Sequence, residues 1–133
     1  MSTIAYDGKI LAADKQGSAG WKYPTTKIHR ITYQGAPAIF ASAGEMQDMI
    51  DVKNWLEYPG TLAKPTPNKD NFTGLLLLPD KLLRFEDSLA MWEVTAPHAI
   101  GSGRDFALAA MHCGKNAVEA VGVAAVYDTY SGM

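Results

Sequence analysis

Three histidines, one cysteine and a single Gly-Ser-Gly are the first places to look for chemistry in this chain, and they do not assemble into a site. His29, His98 and His112 show no metal-ligand spacing with one another or with Cys113. Gly101-Ser102-Gly103 precedes a helical segment and could hold an anion at its N-terminus, but no Lys-Ser/Thr pair completes a phosphate loop. A Gly-x-Ser-x-Gly elbow is absent. What remains lies at the start of the sequence. Ser2 follows Met1, and aminopeptidases remove a methionine that precedes a small residue. Removal leaves a free α-amine beside the serine hydroxyl. With an ordinary pKa of about 7.7–8.0, an α-amine is close to the base needed near neutral pH. Nucleophile and general base can then share one residue.

Such a residue works only if a fold holds it still. Thr3–Tyr6 and Lys9–Ala13 are short apolar runs around Asp7-Gly8, a dipeptide that favours a two-residue type I′ hairpin. Residues 14–26, rich in Gly, Ser, Pro and Thr, read as a loop. Lys27–Tyr33 and Ala38–Ala43 form a second hairpin around Gln34-Gly35. After Gly44 the apolar period becomes helical, through Met46, Met49, Ile50, Val52, Trp55 and Leu56, and stops near Tyr58-Pro59-Gly60. Pro59, Pro65 and Pro67 make 59–70 irregular. Phe72–Leu78 and Leu82–Phe85 form a third hairpin, and Trp92–Ile100 reads as one further strand interrupted by Pro97. Arg104–Cys113 is a helix stopped by Gly114, and Asn116–Val126 is an alanine-rich helix followed by a short extended tail. Strands, one helix, strands and two helices indicate an α+β layered domain, expected to span 1–133 as one unit.

Composition narrows the function classes. The 133 residues are 47% hydrophobic and 20% charged with a net charge of −2, an ordinary globular profile with no basic face for nucleic acid. No uninterrupted apolar run, Leu75–Leu78 among them, approaches the ~20 residues that cross a bilayer. The N-terminus lacks the basic and apolar regions of a signal peptide, and Cys113 has no internal disulfide partner. The expectation is a cytoplasmic protein without cofactor or metal, bound to neither nucleic acid nor membrane.

Taken together, five segments resemble a known family. Ser2-Thr3-Ile4-Ala5-Tyr6-Asp7-Gly8-Lys9-Ile10-Leu11-Ala12-Ala13-Asp14 is similar to the start of mature proteasome β-subunits and of the HslV peptidase. Thr26-Lys27-Ile28-His29-Arg30-Ile31 is similar to their strand that carries a catalytic lysine. Ala41-Ser42-Ala43-Gly44 resembles the strand end before their first helix, Ile100-Gly101-Ser102-Gly103 the Gly-Ser-Gly before their third, and Asp128-Thr129-Tyr130-Ser131-Gly132 their Asp-x-x-Ser-Gly. The segments occur in the family's order from Ser2 to Gly132.

The resemblance implies a four-layer αββα sandwich, two antiparallel sheets flanked by helices, here shortened by about one helix because 59–70 stands where the family carries its second. It also implies roles. Ser2 is the nucleophile in place of the usual threonine, without the methyl group that helps fix the rotamer. Lys27 lowers the pKa of the Ser2 amine, and Asp14 orients Lys27. Asp128, Ser102 and Ser131 surround the amine, and the Gly44 N–H serves as oxyanion donor. Implied with them are a peptide or unfolded-protein substrate, assembly into a homo-oligomeric ring, and an AAA+ ATPase unfoldase as partner. Taken singly, each residue has a plainer role: Asp14 and Gly44 in turns or caps, Lys27 as a solvated charge, Ser102 as the cap of the following helix, Asp128 and Ser131 as polar groups at a helix end. An inactive structural or assembly subunit of the same fold, and an acylase for small amides, are the alternative functions.

Overall fold

The computed structural model describes residues 3–18, 22–24 and 27–128, with 16–18 and 22–24 described by backbone alone. In chain order the elements are β1 (Thr3–Tyr6), β2 (Leu11–Ala13), β3 (Gln16–Ser18), β4 (Lys22–Pro24), β5 (Ile28–Tyr33), β6 (Ala36–Ala43), α1 (Met46–Glu57), β7 (Thr73–Leu77), β8 (Leu82–Phe85), β9 (Met91–Val94), β10 (His98–Gly101), α2 (Arg104–His112) and α3 (Ala117–Tyr127). They form two compact units. Residues up to Lys27 together with those from Thr95 onward make the first, and Ile28–Val94 the second.

The first unit is built on an antiparallel sheet of order β10-β1-β2, with β3 and β4 as a separate antiparallel pair. Ala5 lies opposite Ala99 on one side and Ala12 on the other. Three small side chains in a row give a smooth sheet face, on which Ala107 and Met111 of α2 and Ala117, Ala120, Val121 and Ala124 of α3 close. Alternation along β1 sends Ile4 to the opposite face beside Ile100, both fully buried. α2 ends in a Schellman motif: Lys115 N–H donates to Ala110 C=O, Gly114 N–H donates to Met111 C=O, and Gly114 takes the required positive φ of 94°. α3 begins with a capping box. Asn116 Oδ1 accepts Glu119 N–H while Glu119 Oε1 accepts Asn116 N–H.

The second unit is an antiparallel meander of order β5-β6-β7-β8-β9. Val52 and Leu56 of α1 enter its core with Ile31, Ala38, Phe40, Phe72, Leu76, Phe85 and Leu89. Phe40 and Phe85 stack at 6.1 Å between centroids. Gly74 lies opposite Phe85, whose ring covers the space that a side chain at 74 would need.

The α+β class, the order of elements and the two antiparallel sheets agree with the sequence, as does the absence of helix from 58 to 72. Three local expectations are corrected. Residues 14–26 contain the β3–β4 pair rather than only loop, because a short ladder needs backbone partners and no apolar pattern. Trp92–Ile100 is two strands in different sheets, since Pro97 has no N–H for a ladder and the chain leaves one sheet at Val94 and joins the other at His98. The Asp7-Gly8 connection is a four-residue loop in which the Asp7 carboxylate accepts Lys9 and Ile10 N–H groups, both at 2.8 Å. Positive φ at both central positions, as type I′ requires, occurs instead at Gln34 (49°) and Gly35 (79°), where Tyr33 pairs directly with Ala36. No helix among the described residues is long and apolar enough to cross a membrane.

Candidate active site

The register of the first unit gathers chemistry at one end of its sheet. β1 starts at Thr3, which faces Gly101 at the end of β10, and Ile4 faces Ala13 at the end of β2. The residues that follow these strand ends, Asp14 and Ser102, are therefore brought to the side on which β1 begins. Thr3 and Asp14 are joined twice: Asp14 N–H donates to Thr3 C=O at 3.0 Å, and Thr3 N–H donates to Asp14 Oδ1 at 3.0 Å.

Asp14 Oδ1 also receives the Lys27 ammonium, with Nζ 2.7 Å away. Asp14 is 1% exposed and Lys27 6%, so Lys27 is not the solvated charge that its place before a strand suggests. A pair this deep loses hydration on both sides and survives only with tight geometry and added hydrogen bonds, which the Thr3 N–H helps to supply. Burial pushes the Lys27 pKa below its ordinary 10.5, and the hydrogen bond and charge of Asp14 oppose that fall without cancelling it.

Ser102 does not cap α2. The N-cap is Gly103, without a side-chain cap, and Ser102 Oγ instead donates to Asp128 Oδ2 at 2.6 Å across 26 residues of sequence. Asp128 is the last residue held by α3, its N–H donating to Ala124 C=O at 2.7 Å. Helix α3 thus delivers a carboxylate to the loop after β10, the strand that pairs with β1.

Gly44 belongs to the Ile28–Val94 unit, between β6 and α1. Its φ is 137°, and a Cβ there would lie 3.2 Å from Asn71 O and 3.3 Å from Phe72 Cα. Only glycine fits on both counts. Ser2 and Ser131 lie outside the described residues. Of the other expected site residues, Asp14 and Lys27 are in direct contact, and so are Ser102 and Asp128, the two pairs being connected through the β1–β10 register. Two further residues were not read from the sequence as site components. Thr3 ties its backbone to Asp14 and is itself fully buried. Asp7 anchors the far end of the same frame, and Asp-Gly signals only a turn. No group of three His, Cys, Asp or Glu among the described residues could hold a metal ion.

This architecture recurs in solved structures. Thiobacillus denitrificans BPH in complex with epoxomicin superposes with a TM-score of 0.68 at 17% identity, over 99% of this chain and 93% of that one. Eukaryotic HslV from Trypanosoma brucei gives 0.67 at 19% identity, over 98% and 93%. This chain has the HslV fold. Anbu from Hyphomicrobium sp. strain MC1 follows with a TM-score of 0.64 at 13% identity, covering 99% of this chain and 78% of that one. The proteasome-type resemblance of the five sequence segments is therefore matched by the fold of nearly the whole chain. No protein-family model and no curated protein matches the sequence. At these identities the HslV-like chain shares a fold, and its chemistry has to be argued from its own residues.

Proposed function

We propose that this HslV-like chain hydrolyses peptide amides through an N-terminal nucleophile, Ser2, brought to the terminus by removal of Met1. The observation that carries the proposal is the buried Lys27–Asp14 pair tied to the backbone of Thr3, the residue next to Ser2. A fold has little reason to bury a lysine–carboxylate pair against the start of its first strand for stability alone, since buried pairs are seldom net stabilising. In this reading the Lys27 cation, linked to Thr3 through Asp14, favours the neutral, basic form of the Ser2 amine. The amine takes the Ser2 hydroxyl proton as Oγ attacks the substrate carbonyl carbon. The proton then passes to the leaving amine as the C–N bond breaks, and water resolves the acyl-enzyme by the same route in reverse. Asp128 and Ser102, with Ser131, orient the amine, and the family resemblance assigns the oxyanion donor to the Gly44 N–H. The same proposal includes a single domain over 1–133 and self-assembly into a ring that admits unfolded chains, with an ATP-driven unfoldase as supplier in a cytoplasmic setting.

The test is turnover of fluorogenic peptide amides by the purified protein. Ser2→Ala is expected to abolish it and Ser2→Thr, which keeps the hydroxyl, to retain it. Equal rates for wild type and Ser2→Ala would exclude Ser2 as the nucleophile. Turnover confined to small amides would instead favour the acylase alternative.

A further inference from the structure

Asp7 lies at the end of the β1–β2 hairpin remote from Thr3 and Asp14, yet it makes a long-range bond of its own. Its two carboxylate oxygens have separate tasks. Oδ1 accepts the Lys9 and Ile10 N–H groups at 2.8 Å each, which shapes the loop, and Oδ2 accepts the Ala117 N–H at 2.8 Å, 110 residues away. Ala117 is the first residue of α3, and the capping box of Asn116 and Glu119 already satisfies other groups at that helix start. The Asp7 bond thus adds a tie between helix and hairpin to a helix that is capped without it. It is charge-assisted and sits where the helix dipole favours an anion.

Helix α3 runs from this tie to Asp128, whose carboxylate accepts the Ser102 hydroxyl at 2.6 Å. The elements close a ring. The hairpin holds Thr3 and Asp14 at one end and Asp7 at the other, α3 leads back from Asp7 to Asp128, and Ser102 follows the strand paired with β1. The apolar seam of α3 is made of Ala117, Ala120, Val121 and Ala124 against Ala5 and its neighbours. Small side chains interlock weakly along the axis, so packing alone sets the axial position of this helix loosely. A polar tie at its start does so firmly.

We propose that Asp7 is a positioning residue: by fixing the start of α3 on the β1–β2 loop it sets the place of Asp128 at the other end of the helix, and with it the Ser102–Asp128 bond. Its effect on rate rests on the hydrolase function proposed above, whereas its effect on Asp128 does not.

The experiment compares Asp7→Asn with Asn116→Ala in the full-length protein, by hydrogen exchange and by peptide-amide turnover. Asparagine keeps one carbonyl oxygen for the Lys9 and Ile10 N–H groups but presents an NH2 to the Ala117 N–H, donor against donor. Asn116→Ala removes the helix cap and leaves the tie. Asp7→Asn is expected to speed exchange at 124–128 by on the order of tenfold and to lower kcat with KM unchanged. Asn116→Ala is expected to leave exchange at 124–128 and kcat near wild type at a matched loss of Tm. Unaltered exchange at 124–128 in Asp7→Asn overturns the inference, as does a kcat equal to wild type in an active protein. A wild-type protein without turnover overturns the hydrolase function alone, and exchange at 124–128 then decides the role of Asp7 by itself. Should Asp7→Asn fail to fold, the same two measurements on Asp7→Ser, which retains a loop acceptor, decide it.

Discussion

Lys27 Nζ lies 2.7 Å from Asp14 Oδ1, and both side chains are almost completely buried. The same oxygen accepts the Thr3 N–H, so one carboxylate oxygen holds both an ammonium and the backbone of the first strand. Removing the cation leaves that carboxylate in a dry site without its countercharge. Lys27→Met is expected to destabilise the fold by about 3–5 kcal/mol. Combining it with Asp14→Leu is expected to restore much of that loss but none of the turnover. Denaturant melts of the single and double variants, alongside peptide-amide assays, check both halves.

Asp7 contributes an acid dependence of its own. Burial raises its pKa, but the backbone N–H groups of Ile10, Ala117, Lys9 and Asp7 itself outweigh burial and bring it below the ordinary 3.8. A carboxyl whose folded pKa is depressed contributes stability that is fully present above 3.8 and is lost as pH falls through the folded value. Wild type is expected to lose its stability advantage over Asp7→Asn as pH is lowered past that window, measured by thermal melts at stepped pH.

Gly44→Ala meets two obstacles, a φ of 137° and the Asn71 and Phe72 backbone 3.2–3.3 Å from the added Cβ. A loss of stability on the order of 1–3 kcal/mol is expected, together with a fall in turnover greater than the unfolded fraction explains. Comparing activity per folded molecule with urea midpoints separates the two.

Gly74→Ala supplies the contrast. Its Cβ would fall 2.4 Å from Phe85 Cζ, in a core that α1 closes. Overpacking is expected to cost about 1–3 kcal/mol while the surviving folded protein keeps its rate. A specific activity per folded molecule well below wild type would place Gly74 nearer the chemistry than its packing suggests.

Ser102→Ala removes the hydroxyl that donates to Asp128 Oδ2. A loss of about 1 kcal/mol is expected with a much larger fall in kcat, read from paired melts and turnover.

What was legible in the sequence follows from which signals are local. The α1 stripe, the Gly114 stop and the Gln34-Gly35 turn each declare themselves within a few residues, and each is found where the pattern puts it. Trp92–Ile100 looks like one strand because a strand that ends and a strand that starts in another sheet have the same apolar pattern, and only Pro97 marks the break. The Asp7 loop is ambiguous in sequence because Asp-Gly suits a type I′ turn and an Asx turn alike, and the N–H on α3 that donates to Asp7 Oδ2 lies 110 residues away. The site divides in the same way. Asp14, Lys27, Ser102 and Asp128 were singled out by ordered motifs, yet the contact of Lys27 with Asp14 and of Ser102 with Asp128 spans 13 and 26 residues and exists only once the sheet has formed. Thr3 and Asp7 act through a backbone N–H and a loop oxygen, for which no residue-type pattern gives a sign.

In the proposed reaction Ser2, freed of Met1, is the nucleophile. Its most direct test is the intact mass and N-terminal sequence of the purified protein before and after incubation with a serine-directed acylating probe such as a β-lactone. The expected result is a chain beginning at Ser2 that gains one adduct, lost in Ser2→Ala and in Lys27→Ala variants that remain folded. A chain that retains Met1 and gains no adduct would contradict it.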